Sequence, residues 1–318
     1  LSLSLPLSLS LSLPTTTTSS SSSLSPQVPI TPPESWSEYF DDPTRPLVLD
    51  VGCGSGRFGL ALLKAADDEH EASSSSTFPS SSSSPPSSPI IPGFAPPYNL
   101  LGIEIRSKLV ERANAWARQV GTERSARFLE GNATVSLPAG LLSSYPGPLA
   151  LACVQYPDPH FKERHRKRRV VQAPFAVALA EALSPRSSGG GGGAKNGEGE
   201  GEDGNGSEQL ASPAPIGRVF LQSDVEEVAS SMRAAFEGAA SGAMLEPCRV
   251  AHGEPATAGT ENGTENENEN DGTTAKKWES WASAGWLREN PLRVPTEREV
   301  HTLSQGLPVY RCLLVKKA

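Results

Sequence analysis

Leu47-Val48-Leu49-Asp50-Val51-Gly52-Cys53-Gly54-Ser55-Gly56 reads as a short apolar run closed by a glycine-rich turn, and a helix-compatible stretch from Phe58 to Ala66 follows it. A continuous apolar run of this length, bounded by glycines, marks a strand buried on both faces. Glycines just past such a strand let the backbone come close to a ligand at the start of the next helix. A dinucleotide fingerprint would carry a further glycine at 57, where this chain has Arg57, so hydride transfer from a nicotinamide cofactor is disfavoured.

Outward from this turn the pattern alternates. Strands are expected at 100–105, 127–129, 149–156, 219–221 and 309–315, and helices after 106, at 175–183 and at 225–236. In the helix after 106, Leu109, Val110, Ala113, Trp116 and Ala117 recur on one face. Buried strands separated by helices predict an α/β fold, a doubly wound parallel sheet. Residues 1–30 are Leu-Ser repeats and Ser/Thr runs, and the low-complexity N-terminal segment is drawn to residue 46. Three more biased stretches, at 67–97, 184–215 and 252–275, interrupt a domain spanning 47–318. Such segments bury too little apolar surface to offset their ordering entropy. All three fall between expected elements, where added length costs little. About 200 residues then remain, the size of one α/β domain.

The formal charge of −8 hides an asymmetry. The three stretches together carry −13, which leaves +5 on everything else, with cations concentrated at 162–169. A basic folded part favours an acidic polymer as partner. Cys53, Cys153, Cys248 and Cys312 are scattered, without a Cys-x-x-Cys pair, so reduced thiols are expected and no metal site. No apolar run approaches the roughly 18 residues that span a bilayer, and no membrane association is expected. The chain opens without Met, which leaves open a fragment or a processed form. Its Ser/Thr richness and lack of acids before Glu34 fit an organellar transit peptide, while its lack of Arg before Arg45 does not.

Tyr156-Pro157-Asp158-Pro159-His160-Phe161 sets one carboxylate between two prolines, and six basic residues follow within the eight positions Lys162 to Arg169. Proline locks its own φ and pushes its predecessor out of the helical region, so Asp158 sits on a stiff, extended segment. The cations beside it are of the kind that hold phosphate. A rigid acid next to a phosphate-binding surface suggests chemistry on a nucleic acid; a turn leading into a solvated basic helix is the alternative.

The G-x-G-x-G spacing looks like the class I S-adenosylmethionine-binding fold. Glu104 ends the second strand, where a ribose diol needs an acceptor, and Asn132-Ala133 follows the third, where an adenine edge would lie. The glycine turn, Gly102-Ile103-Glu104-Ile105-Arg106, the Pro-Asp-Pro segment with its basic run, and Thr296-Glu297-Arg298-Glu299 occur in one order. Together they resemble the tRNA (guanine-N7)-methyltransferase family over roughly 47–66, 98–183 and 216–318. The stretch from Gly285-Trp286 through Tyr310-Arg311 is similar to its plant and algal chloroplast branch.

The resemblance implies a Rossmann-like fold and methyl transfer from S-adenosyl-L-methionine to N7 of a guanine in tRNA, in the variable loop. It makes Asp158 the catalytic acid. Gly52, Gly54, Gly56, Glu104, Arg106, Asn132 and Ala133 would hold the cofactor, and Lys162, Asp224, Thr296 and Glu299 would face the guanine or the cofactor's methionine end. Arg164, Arg166, Lys167, Arg168 and Arg169, within the basic run, would hold tRNA phosphates. The family often has Thr where this chain has Ser223, Phe at Tyr156 and an apolar residue at Gln155. Asp224 also reads as a helix N-cap, and Thr296 with Glu299 as a capping box. Trp278, Trp281 and Trp286 read either as stacking platforms or as core anchors. A class I methyltransferase acting on another substrate and a non-catalytic RNA-binding protein stay open as alternatives. Oligomeric state stays open between monomer and homodimer, as does the need for a partner subunit.

Overall fold

The glycine-bounded run becomes β1 (Leu47–Val51), buried along its whole length. The structure is a computed structural model and describes residues 28–74, 89–160, 164, 169–183, 216–238, 245–247 and 285–316. After β1 come α1 (Arg57–Ser74), β2 (Asn99–Glu104), α2 (Ser107–Gln119), β3 (Ala126–Glu130), α3 (Ala133–Ser136) and β4 (Leu149–Gln155). Then follow α4 (Ala173–Ala182), β5 (Arg218–Ser223), α5 (Glu226–Glu237), β6 (Leu245–Pro247), α6 (Glu297–Ser304) and β7 (Tyr310–Lys316).

One sheet runs β3-β2-β1-β4-β5-β7-β6. Its first five strands are parallel, as expected. β7 enters antiparallel beside β5 and pairs antiparallel with β6. Alternation along each strand sends residues to two cores. Leu47, Leu49, Val51, Ile103, Val154 and Leu221 face α3, α4 and α5, while Val48, Leu100, Leu151, Cys153, Phe220 and Leu313 face α1 and α2. Burial on both faces is why these strands carry no polar alternation.

Three boundaries differ from expectation. α1 continues eight residues past Ala66 through the acidic run to Ser74, since nothing after Ala66 breaks a helix. The stretch at 67–97 also returns to the core, with Ile90, Ile91 and Phe94 buried beside Tyr98. Before residue 47, Trp36 and Phe40 are buried and pack on Tyr145, with the Trp36 and Tyr145 rings edge to face at 5.0 Å. Such aromatic pairs add about 1 kcal/mol beyond their area, so 28–46 belongs to the folded domain. Cys248, Trp278, Trp281 and the stretches 184–215 and 252–275 lie outside the described residues. Trp286 is buried and stacks edge to face on Tyr310, as a core anchor.

Candidate active site

Chain order reverses between β1 and β4: β2 and β3 lie to one side, β4 and β5 to the other. Ligands of open α/β sheets bind in the crevice at the carboxyl ends of the strands at such a point. Val51 pairs with Ile103 on β2 and with Val154 on β4, so Gly52, Glu104 and Gln155 leave the sheet side by side. In the turn, Gly52, Gly54 and Gly56 have φ of 73°, 56° and 77°, a region that L side chains rarely adopt. A Cβ at Gly56 would also stand 2.7 Å from the Phe128 ring, whereas at Gly52 and Gly54 it would meet only open space. The turn is therefore pinned at its helix end and bare toward the crevice.

Glu104 is 5% exposed and ties this turn to the second strand. Its Oε2 accepts the Gly54 N–H at 3.1 Å; its Oε1 accepts the backbone N–H of Arg106 at 3.1 Å and the Arg106 Nε–H at 2.9 Å. That hydrogen bond raises the Arg106 pKa, and the nearby charges of Glu104 and Asp158 add to the effect. Asp158 thus lies within electrostatic reach of Arg106, at the carboxyl end of the sheet. Asn132 caps α3, its Oδ1 accepting from the backbone and hydroxyl of Thr134. The Ala133 methyl is packed in the core, so that residue offers the crevice only backbone.

Asp50, within the same apolar run, carries no role predicted from sequence. It is the penultimate residue of β1, beneath the turn, at 3% exposure. Burial, with the Glu104 charge nearby, pushes its carboxyl up to about 7. The available signal was the acid itself, a lone charge inside an apolar strand.

The Pro-Asp-Pro segment is preset by its flanks as well as its prolines. Tyr156 and His160, on either side, hold φ of 48° and 43°, left-handed values uncommon outside glycine. The Tyr156 N–H donates to the Gln222 carbonyl at 2.8 Å, fastening the exit of β4 to β5. Asp158 is exposed and lines a cleft against α5 with Arg169, Val171, Val228, Ser231 and Met232. Arg169 donates to Glu227 at 3.3 Å across that cleft. Arg164 is exposed. Lys162, Arg166, Lys167 and Arg168 lie outside the described residues.

The capping alternatives resolve differently for the two carboxyl-terminal motifs. Asp224 does not cap α5; Val225 occupies that position, and Ser223 Oγ accepts the Val225 N–H. Both hydrogen bonds from Arg298, at 2.9 and 2.6 Å, land instead on Asp224 Oδ2. Thr296 caps α6, its hydroxyl accepting the Glu299 N–H at 3.0 Å. The Glu299 side chain does not complete a capping box and turns inward. Glu297 pairs with Arg57, whose guanidinium lies 4.7 Å over the Trp116 ring, so α6 also reaches the helix that follows the glycine turn. Gln155 accepts from Gln222 Nε2 at 2.7 Å.

Among the described residues no group of His, Cys, Asp and Glu is placed to hold a metal, and Cys53, Cys153 and Cys312 are free thiols. No described helix is long and apolar enough to cross a membrane.

A family model described as "Putative methyltransferase" matches residues 94–188. The tRNA (guanine-N(7)-)-methyltransferase of Synechocystis sp. (strain PCC 6803) is 32% identical over 279 residues, covering 88% of this chain and 86% of that one. The protein of the same name from Microcystis aeruginosa is 33% identical over 287 residues, with 90% and 89% covered. That from Synechococcus elongatus (strain PCC 7942) is 32% identical over 293 residues, with 92% and 91% covered.

Proposed function

The chain belongs to the tRNA (guanine-N7)-methyltransferase family, and on that premise we propose that it transfers a methyl group from S-adenosyl-L-methionine to N7 of a guanine in the variable loop of tRNA. The observation that carries the reading is the placement of Asp158. A proline-fixed carboxylate follows the crevice end of β4, within electrostatic reach of the Arg106 that Glu104 holds.

The residues present fit a sulfonium cofactor. The turn is bare at Gly52 and Gly54, and two carboxylates, Asp50 and Glu104, border it. When bound, the cofactor supplies an electrophilic methyl group on positively charged sulfur. Gly52, Gly54 and Gly56 would admit its methionine end, Glu104 its ribose, and the Asn132–Ala133 backbone its adenine edge. Arg106, already held by Glu104, would border the same site.

Guanine N7 bears no proton in the neutral base, so its lone pair attacks without a strong general base. The protein's contribution is placement, and stabilisation of the positive charge that grows on the purine. Asp158 provides that countercharge, or accepts hydrogen bonds from guanine N1–H and N2–H. Asp224 shares the second task and leaves its Oδ1 available, because Arg298 occupies Oδ2. Adenine lacks those donors, and an acceptor pair there discriminates against it. The cations from Lys162 to Arg169 hold phosphates and so orient the RNA without reading its sequence. We propose a chloroplast location on the Ser/Thr-rich composition of residues 1–33 and their lack of acids.

The test is purified protein with methyl-labelled cofactor and unmodified tRNA. Label at guanine N7 is expected. Asp158→Ala should lower transfer at least 100-fold while calorimetry still detects cofactor binding. Full activity in that variant would overturn the catalytic assignment.

A further inference from the structure

Glu299 is 2% exposed, and the protein itself occupies both of its carboxylate oxygens. Oε1 accepts from Arg311 Nη2 at 2.7 Å. Oε2 accepts from Asn290 Nδ2 at 2.9 Å and from Gln222 Nε2 at 3.2 Å. Arg311 is equally enclosed, at 3% exposure, and also donates to the Arg288 carbonyl at 3.0 Å.

The donors form a pattern across the sheet. Gln155 and Gln222 are register partners on β4 and β5, and Gln222 and Arg311 are register partners on β5 and β7. Their side chains make one polar row at the crevice end of three neighbouring strands, with Glu299 capping it from α6. On one side of the row the next residues are Tyr156, Pro157 and Asp158. On the other side of Glu299, the preceding residue Arg298 grips Asp224. A carboxylate pulled out of this row to meet a ligand would leave the Arg311 charge buried and unpaired, which is strongly unfavourable.

We propose that Glu299 does not touch the guanine but is a positioning residue, fixing the Pro-Asp-Pro segment relative to the Asp224–Arg298 pair through the Gln155–Gln222–Arg311 row. The proposal rests on the methyl-transfer reading above and reassigns one residue within it. Glu299 then governs how well Asp158 and Asp224 are set for the reaction. It does not itself touch the base or the cofactor.

The experiment compares tRNA transcripts carrying guanosine or inosine at the target position. Inosine keeps N7 and lacks only the 2-amino group, so the guanosine-to-inosine ratio of kcat/KM reports contacts to that edge. For Glu299→Gln, kcat should fall about 10- to 100-fold, and the guanosine-to-inosine ratio should fall with it because the acids that meet that edge are displaced, while cofactor affinity stays within about twofold of wild type. An unchanged kcat would overturn the proposal. Gln222→Leu, at a side chain that is fully buried and out of reach of any nucleotide, should reproduce both losses. Wild-type turnover and ratio in Gln222→Leu beside an impaired Glu299→Gln would make Glu299 a direct base contact and overturn the proposal; should Glu299→Gln not fold, wild-type turnover in Gln222→Leu alone overturns it. A wild-type protein that leaves guanine N7 unlabelled is a separate outcome, one that removes the methyl-transfer reading itself.

Discussion

Asp50→Asn should stabilise the protein more as pH rises, and the size of the effect follows from burial. In the folded chain the Asp50 carboxyl is pushed up to about 7 by desolvation, with the Glu104 charge adding to it, from an ordinary value of 3.8. Between those two values the native state holds a proton that the unfolded chain has released. Stability therefore falls with rising pH: the contribution is fully present below about 3.8 and gone above about 7. The whole span corresponds to ~4 kcal/mol. Roughly two-thirds of it, ~3 kcal/mol, falls between pH 5 and pH 8. Asparagine has nearly the same shape and does not titrate. Titrating groups out of reach of Asp50 are shared by both proteins and cancel in the comparison. For a domain of this size, ~3 kcal/mol corresponds to a Tm difference that widens by about 6–12 °C from pH 5 to pH 8. Thermal unfolding of both proteins across that range measures it. A Tm difference that stays flat with pH would mean that Asp50 is ionised in the fold, and the argument from burial would fail.

Two further outcomes concern packing. Phe40→Ala, at a ring with no exposed surface inside the Trp36–Tyr145 cluster, should cost about 3–5 kcal/mol in denaturant unfolding; a change below about 1 kcal/mol would remove 28–46 from the core. Gly56→Ala combines a φ of 77° with a Cβ 2.7 Å from the Phe128 ring. It should lose at least about 2 kcal/mol of stability and weaken cofactor binding by calorimetry at least about tenfold, through displacement of the turn.

The parts of this architecture that were legible in the chain are those whose signals are local. The run 47–56 carries its own strand, turn and helix start, and Glu104 and Asn132 are readable because each follows an apolar strand directly. The prolines around Asp158 announce a stiff segment without help from elsewhere. What escaped depends on distant partners. The inward turn of Glu299 needs Arg311 and Gln222, which a helix-start motif does not reveal. The cap reading that stood beside a substrate role for Asp224 fails because Arg298, 74 residues later, claims its carboxylate. Gln155 looked misplaced until Gln222 stood beside it on β5. Compositional bias misled at 67–97, where a helix extension and the buried pair Ile90–Ile91 were concealed by neighbouring serines. The antiparallel β7 was read correctly as a strand, but a single apolar run does not state its direction.

Residues 75–88 and 184–215 fall, in sequence, between the end of α1 and β2 and between the end of α4 and β5. In a doubly wound sheet, helix-to-strand connections lie at the amino edge, and the reacting groups here gather at the opposite rim. Drift in length or wording at those two joints is thereby insulated from selection on turnover, and a lineage is free to lengthen them while the chemistry stands still.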